Sequence, residues 1–292
     1  MHPKKVSIIV LNWNGKELTR ACLKSILKNT RYPNYEIIVV DNGSIDGSVE
    51  MLEKEFPQVK LIKNKENKGF AGGNNQAMEI AEGDYFFLLN NDTLVTKGWL
   101  EKAVEIMESD NRVASVGSTL LPPGAPLNGV GGKDKERDTV CGAAMLMKRK
   151  VVERIGALDA DNFSPIYGEE TDWNYRARNI GYKVIETQKS KVIHIGSVAT
   201  KKQNPNQYVL LNTHRLKAML YNDSPMRFLK RIPGLGLIFV NSIREGMTIP
   251  LLRSYWNNIR NWRNILQERK RRRKIIKKLK DEQQKVGEAW FR

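Results

Sequence analysis

Polar side chains that could bind a cation directly follow the apolar segment Tyr85–Leu89, namely Asn90, Asn91 and Asp92. A short apolar segment of this kind is typical of a buried strand, and its end presents two amides and one carboxylate to solvent. Ligands of open α/β sheets bind beyond the carboxyl ends of the strands, and hard divalent cations prefer oxygen ligands. Asn and Asp are also ordinary turn residues, so the segment alone fits either a cation site or a turn.

Two other predicted strands also end in a residue that could bind a ligand. Asp41 ends the segment Tyr35–Val40, where a carboxylate can accept a hydrogen bond from a base or from a ribose hydroxyl. His194 follows Val192–Ile193. A single histidine is more often structural than a ligand, but its place at a strand end favours a role in binding metal or phosphate.

Three acids lie at the start of a predicted helix that ends near Arg178, and they are Glu169, Glu170 and Asp172. Acids in a first turn often only complement the helix dipole. A carboxylate pair can also supply a general base, and mutual repulsion raises one of the two pKa values.

A glycine-rich segment, Gly69–Gly73, opens another predicted helix. Its backbone N–H groups could approach a phosphate or a ribose. It lacks the Gly-Lys-Ser/Thr ending of a P-loop, so the glycines alone are weak support for nucleotide binding.

The elements that would position these residues alternate between strands and helices through the first ~110 residues, which predicts βαβ units and a largely parallel sheet. The predicted strands cover 6–11, 35–40, 59–63 and 85–89, and the predicted helices cover 17–28, 48–56 and a stretch ending near 81. After Val113–Leu121 the rhythm changes to a Pro/Gly-rich loop over 122–132, a strand at Val140–Met147 and a helix at Lys150–Ile155. Two short strands are predicted at Val184–Ile185 and Val192–Ile193, and the pattern is helical from Gln203 onward.

The net charge of +17 is concentrated near the C-terminus, because residues 225–292 hold 18 Lys/Arg and 5 Asp/Glu and thus carry +13. Six basic residues occur in a row at 269–274, preceded by Trp256 and Trp262. Two cysteines favour a reducing compartment, and we expect neither a signal peptide nor a membrane-spanning helix. The tail fits an anionic membrane surface or a nucleic acid, or it is only a solvated helix end.

Seven motifs occur in order, and together they resemble the family 2 glycosyltransferases with the GT-A fold, in particular the rhamnosyltransferase-like branch. They are Asn12–Trp–Asn14, Asp41–Asn–Gly–Ser–x–Asp–Gly–Ser48, Asn67–x–Gly–Phe–Ala–Gly–Gly–Asn74, Asn90–Asn–Asp92, Gly142–Ala–Ala–Met145, Glu169–Glu–x–Asp172 and His194–x–Gly–Ser197. The resemblance covers about residues 4–222. It implies an α/β fold with a Rossmann-like mixed, mostly parallel sheet flanked by helices, to which a helical basic extension is added. It divides the chain into a GT-A domain over 1–224, with a nucleotide-sugar half to about 112 and an acceptor half over 113–224, and a basic amphipathic helical tail over 225–292.

The resemblance also implies roles for individual residues. The nucleotide-sugar contacts would be Asn12, Asn14, Asp41, Gly69, Gly73, Asn74 and Asn91. Asp92 would bind Mg²⁺ or Mn²⁺ on the donor diphosphate, with His194 in the same shell. Glu170 would be the general base, with Glu169 as an alternative and Asp172 beside them. Gly142 and Trp173 would line the acceptor cleft.

The activity implied is an inverting transfer of a hexosyl group from a nucleoside-diphosphate sugar, either dTDP-rhamnose or a UDP-hexose. The acceptor would be a hydroxyl of a glycan or of a lipid-linked glycan, at the cytoplasmic face of a cell membrane and with the tail on anionic lipid. Two features depart from the family pattern: the cation site has one carboxylate instead of two, and the base is Glu170 where many relatives have Asp.

The alternatives are a nucleic-acid-binding protein that acts through its tail and a nucleotidyltransferase. A nucleic-acid module should be basic across one face, whereas the body carries only +4, so no specific nucleic acid is expected. A nucleotidyltransferase should carry a glycine-rich basic loop after its first strand, and the sequence has none there.

Overall fold

The structure is a computed structural model that describes residues 3–127, 132–196 and 204–291. The central part of the predicted loop over 122–132, and Ser197 of the last motif, lie outside the described residues.

The N-terminal half is a set of four parallel strands in the order β3-β2-β1-β4. The strands are β1 (Val6–Asn12), β2 (Tyr35–Asp41), β3 (Lys60–Lys63) and β4 (Tyr85–Asn90), and the helices between them are α1 (Lys16–Asn29), α2 (Ser48–Glu55) and α3 (Gly69–Ile80). The register pairs Asn12 with Asp41 and Leu11 with Asn90. The carboxyl ends of β1, β2 and β4 therefore meet at one edge of the sheet, which brings Asp41 close to the predicted cation site after β4.

The C-terminal half extends the same sheet with mixed strand directions. Its elements are β5 (Thr93–Val95), α4 (Trp99–Ser109), β6 (Val113–Leu121), β7 (Lys135–Glu136), β8 (Ala144–Lys148), α5 (Arg149–Ile155), α6 (Ala160–Phe163), α7 (Glu169–Asn179) and β9 (Lys183–His194). The order continues from β4 through β8, β6 and β9 to β5, and β7 pairs with β9. The predicted short strands at Val184–Ile185 and Val192–Ile193 are one long strand, because β6 pairs along it on both sides of a register shift.

Two apolar clusters cover the two faces of this sheet. Alternate residues of β1 point to opposite sides, so Ile8 packs with α1, α2 and α4, whereas Ile9 packs with α3, α5 and α7. The sheet is therefore buried on both faces, which explains why its strands read as continuous apolar segments.

The C-terminal segment is helical, as predicted, but it is not a free tail. It consists of α9 (Pro225–Arg244), α10 (Thr248–Arg260), α11 (Trp262–Val286) and a short 3₁₀ helix (Gly287–Phe291), and it follows α8 (Pro205–Asn222). Trp290 is buried in the core cluster behind the sheet, with the Arg154 guanidinium 3.8 Å from the centroid of its ring. In the part of the chain that the structure describes, no helix combines the length and the apolar character needed to cross a membrane.

Two arginines of the basic run 269–274, Arg269 and Arg272, are bound to the protein itself. Arg272 is buried, and it donates to Asp172, to Asp159 and, at 2.7 Å, to Glu268. Arg269 donates to the backbone carbonyl groups of Leu220 and Asp223. The run therefore fixes α11 against α7 and α8, which the count of charges did not indicate.

Replacing Arg272 with methionine should lower the free energy of unfolding by roughly 3–5 kcal/mol, because the fully buried Asp172 loses one of its cationic partners and Asp159 and Glu268 lose a donor. Urea unfolding followed by circular dichroism measures this loss. Arg273→Met is the matched control, since its side chain is exposed, and it should change stability by less than about 0.5 kcal/mol. Equal losses in the two variants would contradict the role assigned to Arg272.

Candidate active site

A network of polar side chains joins the carboxyl ends of β1, β2 and β4. Asn12 is fully buried and donates through Nδ2 to Asp41 Oδ2 at 2.7 Å. Its Oδ1 accepts from Thr19 Oγ1 at 2.7 Å and from Asn91 Nδ2 at 3.0 Å. The second oxygen of Asp41 accepts from the backbone N–H of Ser44 at 2.8 Å. Asn12, Asp41 and Asn91 are thus together, as predicted, and their side chains fix the shape of this edge.

Asn14 lies on the surface beside this network. Its backbone has a positive φ of 49°, and its N–H donates to Ser44 Oγ at 2.8 Å. Its Oδ1 accepts from the N–H of Ile45 at 2.8 Å. These bonds hold together the two loops that follow β1 and β2, next to the position predicted for the nucleotide.

A cleft of about 330 Å³ opens at this edge of the sheet. It is lined by Leu11, Trp13, Asn42, Asn67, Gly69, Phe70, Asn90, Asn91, Asp92, Pro165 and Ile166. Trp13 is 58% exposed, which is unusual for a residue of its size and suits stacking on a flat ring. Trp13 is part of a predicted motif but is not a predicted contact, although a tryptophan between two asparagines just after a buried strand is a usable signal.

Asp92 and His194 lie side by side at the end of β4. The antiparallel pairing of β5 with β9 places Thr93 opposite His194, and His194 Nε2 lies 3.2 Å from Asp92 Oδ1. That oxygen is buried and has no hydrogen-bond partner in the part of the chain that the structure describes. A buried acceptor without a donor is costly unless a cation or another ligand completes it.

The loop after His194 leaves room only for a residue without a side chain beside Asp92. A methyl group on Gly196 would lie 2.1 Å from Asp92 Oδ2, and the N–H of Ile195 donates to the backbone carbonyl of Asp92 at 2.8 Å. The His194–Gly196 segment is therefore fitted closely around Asp92.

The donor set fits a divalent cation that also binds a ligand. Within residues 3–127, 132–196 and 204–291, no group of three or more His, Cys, Asp and Glu side chains could by itself hold a metal. One carboxylate and one imidazole leave most coordination positions for phosphate oxygens and water, which is usual for Mg²⁺ and Mn²⁺ at nucleotide sites.

The glycine-rich segment has a different role from the one that the sequence suggests. Gly69–Gly73 forms the first turns of α3, and the N–H groups of Gly69 and Phe70 already donate to Asn67 Oδ1 and to the Pro165 carbonyl, both at 2.8 Å. These two N–H groups are therefore not available to a phosphate. A methyl group on Gly73 would lie 2.4 Å from Leu11 Cδ1, so this glycine allows α3 to pack closely on β1.

Asn74, predicted as a nucleotide contact with these glycines, is also turned inward. It is buried, and its Nδ2 donates to the carbonyl of Phe70 at 2.8 Å. Of the predicted residues in this segment, only Gly69 lines the cleft.

The paired acids at the start of α7 have different surroundings. Glu169 is buried, neither of its carboxylate oxygens has a hydrogen-bond partner among the described residues, and burial together with the Glu170 charge raises its pKa to about 9. Glu170 is only partly buried, and desolvation raises the pKa of its carboxyl as well. At neutral pH this raised pKa keeps Glu169 protonated. Glu170 is the better candidate to accept a proton because it is the more exposed of the two side chains.

Gly142 lies between Glu170 and the cleft. A methyl group on Gly142 would lie 3.3 Å from Cβ and Cγ of Glu170 and 3.3 Å from Cζ of Phe70, which lines the cleft. The structure thus places the predicted acceptor residue Gly142 beside the predicted base.

Two predicted site residues are structural instead. Asp172 is fully buried and accepts from Arg176 at 2.9 Å, from Asn222 at 2.7 Å and from Arg272, so it joins α7 to α8 and α11. Trp173 is fully buried in the core, and its Nε1 donates to the carbonyl of Gly156 at 3.0 Å. A place for Trp173 in the acceptor cleft is therefore wrong, as is a place for Asp172 beside the reacting groups.

The architecture is that of the GT-A glycosyltransferases. The mannosyltransferase PcManGT from Pyrobaculum calidifontis, solved in complex with GDP-Man and Mn²⁺, matches with a TM-score of 0.65 over 89% of this chain and 88% of that chain, at 17% identity. Staphylococcus aureus TarS 1-349 in complex with UDP-GlcNAc matches with a TM-score of 0.58 over 75% of this chain and 68% of that chain, at 16% identity. At these identities the likeness establishes the fold.

The family follows from the sequence. The model described as Glycosyl transferase family 2 matches residues 7–156, which is just over half of the 292 residues, so the chain belongs to that family. This confirms the family that the ordered motifs indicated.

The curated relatives match this chain over part of their length. An uncharacterized glycosyltransferase of Haemophilus influenzae is 34% identical over 118 residues, which are 39% of this chain and 36% of that protein. The Escherichia coli UDP-Glc:alpha-D-GlcNAc-diphosphoundecaprenol beta-1,3-glucosyltransferase WfgD is 34% identical over 107 residues, 36% of this chain and 42% of that protein. The O-antigen biosynthesis protein RfbC of Myxococcus xanthus is 26% identical over 228 residues, 68% of this chain and 18% of that protein. The matched segments span less than half of each of these relatives.

Proposed function

We propose that the chain is an inverting hexosyltransferase that moves a sugar from a nucleoside-diphosphate sugar to a hydroxyl of a glycan or lipid-linked acceptor. The observation that carries this proposal is the buried Oδ1 of Asp92, which lacks a hydrogen-bond partner among the described residues and lies 3.2 Å from His194 Nε2, at the edge of a cleft that also contains Trp13. A nucleoside diphosphate with its base on Trp13 would use both features if Asp92 held a cation beside it.

Asp92 and His194 are the residues that would hold Mg²⁺ or Mn²⁺. The PcManGT structure in complex with Mn²⁺ supports the need for a divalent cation. When bound, the ion supplies positive charge that stabilises the departing diphosphate.

The residues of this chain perform the remaining steps. Glu170 removes the proton from the acceptor hydroxyl, whose oxygen forms the new bond to the anomeric carbon. The bond from that carbon to the diphosphate oxygen breaks in the same displacement, its electron pair leaves with the nucleoside diphosphate, and the configuration inverts. The anomeric carbon passes through an oxocarbenium-like transition state. Glu169 is protonated and therefore adds no second negative charge beside Glu170.

The donor and the acceptor are proposed from the relatives. The name of WfgD specifies UDP-Glc as donor and a diphosphoundecaprenol-linked GlcNAc as acceptor, which supports a UDP-hexose and a lipid-linked glycan for this chain. The motif pattern of the rhamnosyltransferase-like branch supports dTDP-rhamnose. Both donors share a pyrimidine base and a diphosphate, and these are the groups that Trp13 and Asp92 would bind.

The place of action follows from the acceptor. A lipid-linked glycan is found at a membrane, so we propose a peripheral protein that acts at the inner face of the cell membrane and uses residues 225–292 to reach anionic lipid. Arg269 and Arg272 of the basic run 269–274 bind the protein body, so they are not part of the proposed lipid contact.

A thermal-shift panel of UDP-, dTDP- and GDP-sugars, each with and without Mn²⁺, tests the function. We expect stabilisation by a UDP- or dTDP-sugar that requires the metal, of about 2.7 kcal/mol when the ligand is present at 100 times its Kd. Trp13→Ala should weaken this shift, because it removes the stacking surface. If no nucleotide sugar stabilised the protein at any metal concentration, the proposed function would be wrong.

A further inference from the structure

The helix α9 exposes apolar side chains along most of its length. Met226 is 65% exposed and Leu237 is 61% exposed, and Leu229, Val240 and Ile243 are exposed as well. Only Ser242 of this helix is buried. Monomeric proteins rarely leave so continuous an apolar surface open to water, so this helix is expected to be covered in use.

The helix α10 contacts α9 and also exposes apolar side chains. Its buried residues, among them Leu251 and Ser254, lie on one side. Its exposed apolar residues Ile249, Leu252 and Trp256 recur at intervals of three and four, and Ile249 is 79% exposed. The helix therefore packs against the protein through a mixed side and leaves an apolar side exposed. We call the exposed apolar side chains of α9 and α10 the apolar face.

The charges around the apolar face are almost all positive. Residues 224–267 contain seven Lys/Arg and a single acid, Glu245. Arg227 and Lys230 precede the uncharged segment 232–243, and Arg244 follows it. A second copy of the same chain would bring like charges together, whereas an anionic surface would complement them.

The length of the uncharged segment fits a helix that lies in a membrane surface. Twelve residues rise only about 18 Å along a helix, against roughly 30 Å for the hydrocarbon core of a bilayer. Apolar side chains on one side, flanking basic residues and an exposed tryptophan, Trp256, are the features of helices buried at the boundary between headgroups and acyl chains.

We infer that the apolar face of α9 and α10 docks the enzyme on an anionic lipid leaflet, with both helices lying in the plane of the membrane. The inference rests on the proposed function in one respect: docking would bring the active site to a lipid-linked acceptor. The helix α8 packs against both α10 and α7, so the docked surface is joined rigidly to the helix that carries Glu170.

The test is co-sedimentation of the full chain with phosphatidylcholine vesicles that contain or lack phosphatidylglycerol. The full chain should bind the anionic vesicles at least about tenfold more strongly than the neutral ones. The double variant Leu237→Glu/Ile249→Glu should lose at least about tenfold of that binding, because two charges enter the apolar boundary. Ile80→Glu is the matched control, since Ile80 is an exposed apolar residue on α3, and it should bind like the unchanged protein.

Nucleotide-induced thermal shifts, measured on the same variants, separate this inference from the proposed function. A double variant that keeps its shift and loses the vesicles supports the docking surface, whatever the transferred sugar is. If the double variant sedimented as the control does, the inference would be overturned. It would equally be overturned if light scattering showed that the double variant turns a dimer into a monomer while vesicle binding stays the same, because a second copy would then cover the face.

Discussion

Glu170→Gln should reduce sugar transfer by about 10²–10⁴-fold, the range expected for the loss of a positioned general base. Glutamine keeps the size of the side chain but cannot accept the proton of the incoming hydroxyl. The donor does not need this proton transfer in order to bind, so nucleotide affinity should stay close to that of the unchanged protein. Turnover of a donor–acceptor pair, together with donor affinity from thermal shifts, measures both quantities.

The neighbouring Glu169→Gln variant identifies which acid is the base. Burial raises the pKa of Glu169 to about 9, so this side chain is protonated at neutral pH and already resembles glutamine in charge and shape. Its replacement should cost less than about tenfold in turnover. A larger loss for Glu169→Gln than for Glu170→Gln would assign the proton transfer to Glu169.

The pH dependence of turnover provides a second test of Glu170. A general base must be ionised in order to act, and desolvation raises the pKa of this carboxyl above its ordinary value of 4.5. Activity should therefore fall as pH is lowered through this raised pKa, at higher pH than for an exposed glutamate. The acidic limb should disappear from the residual activity of Glu170→Gln.

The edge of the sheet could be predicted because it depends on local patterns. Each parallel strand is a continuous apolar segment that stops at a polar residue, and parallel strands place those residues on one edge. Asp41 and Asp92 were therefore found from their positions at strand ends, and Asn12 was found from the resemblance of its motif. The register that pairs Asn12 with Asp41 confirms that they share the edge.

The C-terminal half was harder to predict because its contacts are distant in sequence. Asp172 looks like a member of an acidic catalytic cluster until Arg272, 100 residues further on, is seen to pair with it. Asp172 and Trp173 lie on the inner side of α7, but only tertiary packing shows which residues they contact there. Likewise, a run of six basic residues shows charge and does not show that two of its arginines bind the protein body.

The acid pair Glu169–Glu170 and the cation site at Asp92 share one physical property, which is a reduced negative charge. Protonation of Glu169 leaves the acid pair with one negative charge. The neutral neighbours Asn90 and Asn91 leave Asp92 as the single carboxylate of the cation site. A site that receives a diphosphate gains from fewer fixed negative charges, since each one repels the donor. The affinity for a cation should consequently depend on the donor, and the two should bind together.

Asp92→Ala should therefore abolish the metal dependence of donor binding and lower turnover by about 10²–10³-fold, as expected when a group that stabilises the departing charge is lost. The variant should fold normally, because no hydrogen bond to Asp92 Oδ1 is lost among the described residues. Thermal shifts with UDP- and dTDP-sugars over a range of Mn²⁺ concentrations measure the coupling between cation and donor binding.

Asp84→Ala is the matched control, since Asp84 lies at the other end of β4, where its carboxylate accepts from the N–H of Lys5 at 3.0 Å. The control should keep a shift that requires both metal and donor. If Asp92→Ala also kept a shift that requires both metal and donor, the cation would have to be held elsewhere. The end of β4 would then contribute to donor binding only through Asn91 and its network with Asn12.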